Sequence, residues 1–195
     1  AKIFKYSTKN LNRMRARDVF LFSFYGGGMN YKDIITLTWT DVENEYFIRK
    51  KTEFTSNEEI HVPLKLIEAQ LDIVSRNKGK GKYVFNFLPD NASDEEIYSE
   101  QKSGMRKLDT YIKQMAAELE ITPKLSFQWA RHSFATNMLL AEDVSKKSIQ
   151  ERMGHKHGTT TENYFDTLHK EQSEAINKAL DLSDNEGGFS YMCKV

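Results

Sequence analysis

The chain has 195 residues, with 28 Lys and Arg against 28 Asp and Glu, and is 39% hydrophobic and 12% aromatic, enough apolar material for the core of one sizeable domain. Its apolar runs, such as residues 19–22, fall far short of the roughly 20 residues of a membrane-spanning helix, and its single cysteine, Cys193, excludes an internal disulfide framework and a cysteine metal cluster. Zero net charge excludes a polycation throughout, yet ten Lys and Arg stand against five acids over residues 1–52 and three against six from residue 165 onward, a segregation that a one-faced nucleic-acid binder and ordinary solvated surface both produce.

Residues 10–25 carry Leu11, Met14, Val19 and Phe22 at helical spacing, with Asn10 as N-cap and Gly26, Gly27 and Gly28 as the stop. Asn30, with Asp33 three residues later, resembles a capping arrangement opening a short helix through Leu37. Residues 46–52 and 59–63 are β-branched, aromatic and alternating, and Thr55, Ser56 and Asn57 between them read as a hairpin turn. That hairpin puts Arg49 and Lys51 on one face.

Residues 64–76 read as helix, followed by a basic Gly-containing loop over 77–82. Residues 93–119 predict one or two helices interrupted around Gly104, and residues 125–140 another helix. Residues 145–153 form the next, ended by Gly154 at the left-handed cap position. Thr159 and Glu162 make a Thr-x-x-Glu capping box that places Tyr164 in the first or second turn of a following helix. Residues 170–180 are a last helix before a tail containing Phe189 and Tyr191. The expected fold class is α+β, mainly α-helical with a small antiparallel β-sheet.

The block Arg131-His132-Ser133-Phe134-Ala135-Thr136, then Met153-Gly154-His155, then Thr160-Thr161-Glu162-Asn163-Tyr164 resembles the tyrosine recombinase (phage-integrase) family. That family reads roughly His-x-x-Arg-His-(Ser/Thr)-Phe-Ala-Thr, then Leu-Gly-His, then Thr-Thr-x-x-Tyr nine residues after that His. Tyr164 stands nine residues after His155. The resemblance runs from about Arg17 to Tyr164 and implies the tyrosine-recombinase catalytic fold. It implies a site-specific recombinase that cleaves double-stranded DNA through a 3′-phosphotyrosyl link, as a homo-oligomer on DNA, with no metal or other cofactor.

Such chemistry gathers negative charge on the phosphoryl oxygens, so it demands fixed cationic donors and a proton route. Tyr164 is the expected nucleophile, against the commoner role of a half-buried aromatic. Arg131 offers a two-pronged fork to the phosphate, against a surface ion pair. Gln128, three residues earlier on the same helix side, stands where the family often has His; it hydrogen-bonds a phosphate oxygen but exchanges no proton near neutral pH. His155 is expected to donate to the phosphate or handle the Tyr164 proton. His132 reads as a structural histidine bonded within the fold. His155 and His157 form a His-x-His pair without an acid at ligand spacing, so no metal is expected.

The resemblance assigns Lys51 to the family lysine that protonates the leaving 5′-oxygen, with Arg49 and Lys50 as adjoining DNA contacts. One departure is large. The family carries an Arg in the Gly-rich segment, either three residues before an acid or just before Gly-Met, and here those places hold Asn30 and Gly27. Asn30 is taken as a DNA contact, with a plain N-cap as its alternative, and the missing cation is sought in Arg15, Arg17 or a neighbouring protomer. The alternative function is a recombinase-derived DNA-binding or assembly protein of weak or no catalysis. Residues 1–195 are expected to be one catalytic domain of a longer protein whose N-terminal core-binding domain lies outside this chain. Residues 166–195 are expected to serve protomer contacts, and the location to be the cytoplasm of a prokaryotic cell or mobile-element host.

Overall fold

The computed structural model describes residues 2–49, 59–122, 125–139, 141 and 144–154. After a 3-10 turn at Ile3–Lys5, the elements are α1 (Leu11–Tyr25), α2 (Tyr31–Ile35), α3 (Trp39–Glu43), β1 (Tyr46–Ile48), β2 (His61–Pro63), α4 (Glu68–Asn77), α5 (Asp94–Glu118), α6 (Gln128–Leu139) and α7 (Lys146–Arg152). The strands pair antiparallel in the register Tyr46↔Pro63, Phe47↔Val62, Ile48↔His61, with Phe47 and Val62 buried and their flanking positions more exposed, as a half-buried pleat requires. The expected class, mainly helical with a small antiparallel sheet, is the one observed.

Helix α1 is the centre of the packing, touching α4, α5 and α6. Asn10 caps it by accepting from the Arg13 amide, and its C-terminal half is buried on most sides, with Val19, Phe20, Leu21 and Phe22 all in the core. A helix apolar all round belongs inside rather than on a surface. Phe22 meets Phe85 edge to face at 4.8 Å, a favoured aromatic geometry. A buried carboxylate, Asp18, joins α1 to α4: it accepts from Arg17, Arg76 and Asn77. Burial pushes its pKa up, and the hydrogen bonds from these three donors outweigh that and hold it below the ordinary carboxylate value.

Three expectations needed correction. Helix α5 is continuous through Gly104: the backbone ladder is unbroken, and the glycine instead admits Tyr31, whose hydroxyl donates to Glu100 at 2.9 Å across the spot a Cβ would fill. Helix α4 begins at Glu68 rather than Leu64: the Leu64 amide donates to the Glu45 carbonyl at 2.7 Å and carries the strand pairing one residue past Pro63. Asn30 sits at the N-cap of α2 without a cap bond; its side chain donates to the Asp33 carboxylate at 3.2 Å. The hairpin turn and everything from residue 155 onward lie outside the described residues, and with them the predicted cap and helix of Tyr164. Among the described residues no helix is long and apolar enough to cross a membrane.

Candidate active site

Arg131 lies in the first turn of α6 and is buried. One terminal nitrogen donates to the Gly28 carbonyl at 2.6 Å and the other to the Met153 carbonyl at 2.7 Å. Both acceptors are neutral, so these bonds orient the guanidinium without cancelling its charge. The Gly-rich turn makes the approach possible. Gly28 has φ of +73°, and a Cβ there would run into the Arg131 side chain and backbone, so the turn is open only to glycine.

Arg49 follows β1 and is buried as well. Its amide donates to Ile60, extending the strand pairing. Its guanidinium donates to the Gly154 carbonyl and lies 3.4 Å from the Met153 carbonyl. The turn at the end of α7 is thus held by two arginines from different parts of the chain. Gly154, with φ of +62°, closes that turn in the left-handed conformation, as the Gly154 cap reading anticipated. Arg152 adds a bond to the Pro63 carbonyl at 2.7 Å, tying α7 to β2. His155 is the next residue along the chain.

Gln128, the first residue of α6, is exposed one turn before Arg131. Both line a cavity of about 350 Å³ together with Asn30. The same cavity receives Lys32 from α2 and Lys102 and Arg106 from α5, and among the described residues no acid lines it. Sequence reading missed these three cations. Lys102 and Arg106 are four apart on one helix face, but nothing in their local pattern ties them to Arg131.

Arg15 and Arg17 do not reach this place. Arg15 donates to the Asn86 carbonyl and lies over the Phe87 ring at 4.1 Å, and Arg17 is held by Asp18 and the Tyr6 carbonyl. Gly27, the other position where relatives carry an Arg, has φ of +80°, and a Cβ there would collide with the Arg152 carbonyl. His132 is exposed, its ring edge-on to Trp129 at 6.1 Å. Burial of part of the ring pushes its pKa down, and the neighbouring Arg131 charge adds to that. Lys50, Lys51, His155 and Tyr164 lie outside the described residues. Among the described residues no cluster of His, Cys, Asp and Glu has the makings of a metal site.

Comparison with known proteins gives consistent relatives. The phage integrase family matches residues 1–171. The tyrosine recombinase XerC of Myxococcus xanthus is 26% identical over 162 residues, covering 80% of this chain and 51% of the relative, so the chain spans about half the length of the recombinases it matches. Among solved structures, XerH site-specific recombinase bound to palindromic difH substrate aligns with a TM-score of 0.59 at 19% identity, covering 91% of this chain and 50% of that one. The Tn1549 transposon integrase in complex with transposon right end DNA aligns with a TM-score of 0.54 at 21% identity, covering 83% and 59%. At these identities the likeness to the solved structures is one of fold.

Proposed function

The chain belongs to the phage integrase family, and from that premise we propose that it cleaves and rejoins double-stranded DNA at specific sites through a 3′-phosphotyrosyl intermediate. Tyr164 is the nucleophile. Its hydroxyl oxygen attacks the phosphorus, the bond to the 5′-oxygen breaks, and the tyrosyl proton passes to His155 while Lys51 supplies a proton to the departing 5′-oxygen. Rejoining reverses these steps, a 5′-hydroxyl attacking the phosphotyrosine and releasing Tyr164. Arg131 holds the non-bridging oxygens, and Gln128 and Asn30 donate hydrogen bonds beside it. Lys50 contacts the DNA along the hairpin, whereas Arg49, expected as a DNA contact, is buried and its guanidinium is turned to the Gly154 carbonyl. The protein acts as a homo-oligomer on paired DNA sites, in the cytoplasm of a prokaryotic host, and the scheme has no step for a metal.

What supports this reading above all is the fixation of Arg131 by the Gly28 and Met153 carbonyls. A charged fork oriented by two backbone carbonyls, at the edge of a cavity that no acid lines among the described residues, is preorganised for an anion, the property that electrostatic catalysis of phosphoryl transfer needs. One observation favours a second reading, a recombinase-derived DNA-binding or assembly protein: neither Asn30 nor Gly27 supplies the family's first arginine.

The two readings separate in one experiment. The full-length protein is incubated with nicked duplexes carrying candidate sites, and covalent protein–DNA adducts are resolved on a denaturing gel. An adduct that survives EDTA and disappears in Tyr164→Phe establishes strand transfer. Retained DNA binding without any adduct establishes the second reading instead.

A further inference from the structure

Among the described residues, the cavity beside Arg131 is lined by Lys32, Lys102, Arg106 and Arg131 and by no acid, in a chain whose acids and bases are equal in number. Like charges brought into one concavity repel unless an anion joins them. Lys102 and Arg106 lie one turn apart on the exposed face of α5, a spacing at which two cations destabilise an isolated helix. Lys102 rests over the Tyr98 ring at 4.3 Å. The Arg106 guanidinium takes no hydrogen bond or ion pair among the described residues. The same cavity is lined by Asn30, a neutral amide where the family carries arginine, with its Nδ2 turned to Asp33.

The geometry points to Arg106 as the second cationic clamp on the DNA phosphate, replacing from α5 the charge that the Gly-rich turn lacks. This inference rests on the strand-transfer reading of the site. Arg131 holds the phosphate from α6 and Arg106 holds it from α5, with Lys102 one turn away adding to the field. The turn itself leaves no place for that charge: Gly27 and Gly28 are pressed against Arg152 and Arg131 and admit no side chain, and the Asn30 amide is turned to Asp33, so the cation comes from α5. A guanidinium suits this duty because its planar fork pairs with two phosphate oxygens, where an ammonium acts as a point charge.

The test uses the full-length protein with Arg106→Ala and Arg106→Lys, and two probes. The first is a short mixed-sequence duplex, whose binding is followed across a salt series. The second is a nicked duplex carrying the site at which the wild type forms its adduct, made with a phosphodiester or with a neutral methylphosphonate at the cleaved position. Arg106→Ala is expected to flatten the slope of log K against log salt by about 0.9, the value for one phosphate contact, with Arg106→Lys recovering it. Arg106→Ala is expected to slow adduct formation on the phosphodiester by on the order of 10²–10³-fold and to leave the methylphosphonate rate at the wild-type value, since that centre carries one negative charge fewer. An unchanged salt slope overturns the inference. So does an equal loss on both substrates, which marks a folding defect. If the wild type forms no adduct with any duplex, strand transfer fails as a reading, and the salt slope alone decides whether Arg106 binds phosphate.

Discussion

Arg49 and Arg131 donate toward one backbone oxygen, the Met153 carbonyl, at 3.4 and 2.7 Å. One comes from the end of a strand and the other from a helix 82 residues later in the numbering, and their meeting point is the turn that leads to His155. In unfolding experiments, Arg49→Met and Arg131→Met are expected to be non-additive, with a coupling of about 0.5–3 kcal/mol. Additive losses would show that the two side chains hold the turn independently.

Replacing Gly28 tests how Arg131 is seated. Gly28→Ala places a methyl against Arg131 and forces a side chain into φ of +73°, a strain of about 1–3 kcal/mol. Adduct formation is expected to fall by on the order of 10²–10³-fold while binding to mixed-sequence DNA persists. A variant with wild-type rate would show that the turn does not set the guanidinium.

Arg131→Lys keeps a positive charge and loses the fork. An ammonium has no planar pair of donors to span the Gly28 and Met153 carbonyls while facing an anion. Single-turnover adduct formation is expected to drop by on the order of 10²-fold, with only a small change in DNA affinity. Full activity in the lysine variant would mean that charge alone suffices.

Asp18 gives a pH dependence with a definite sign. Its folded pKa is lowered by donors from Arg76, Asn77 and Arg17 acting against burial, so its contribution to stability is present above the unfolded value of about 3.9. That contribution is lost as pH falls through the lower folded pKa. Asp18→Asn is expected to cost about 1–3 kcal/mol at neutral pH in urea unfolding, and the gap from wild type is expected to shrink in acid. A constant gap down to the lowest pH would contradict this.

Gly104→Ala ordinarily stabilises a helix by about 1 kcal/mol. Here the added Cβ meets the Tyr31 hydroxyl and the Glu100 carboxylate, so net destabilisation of about 1–3 kcal/mol is expected. Thermal unfolding of Gly104→Ala with and without Tyr31→Phe checks the cause, since removing the hydroxyl should return part of the loss.

The helices were legible where local signals were strong: Asn10 before α1, Ser145 before α7 and Gly154 after it carry their own capping chemistry. Local signals misled at Gly104, where propensity reports a break and the fold uses the missing side chain to admit Tyr31. They misled at Leu64 too, where the amide donates to Glu45 and the chain is still paired in the sheet at a residue whose apolar pattern reads as helix.

The family, the expected nucleophile Tyr164 and the candidate fork Arg131 follow from the order and spacing of side chains along the chain, because motif spacing is a property of local sequence. The company Arg131 keeps does not. Gly28 and Met153 reach it only through folding, and Arg106 shares its cavity only because α1 packs against both α5 and α6. The sequence shows that an arginine is missing from the Gly-rich turn. The tertiary structure shows that Gly27 and Gly28 have no room for a side chain and that Arg106 lines the cavity beside Arg131, since steric exclusion and shared cavities depend on distances through space that no spacing along the chain encodes.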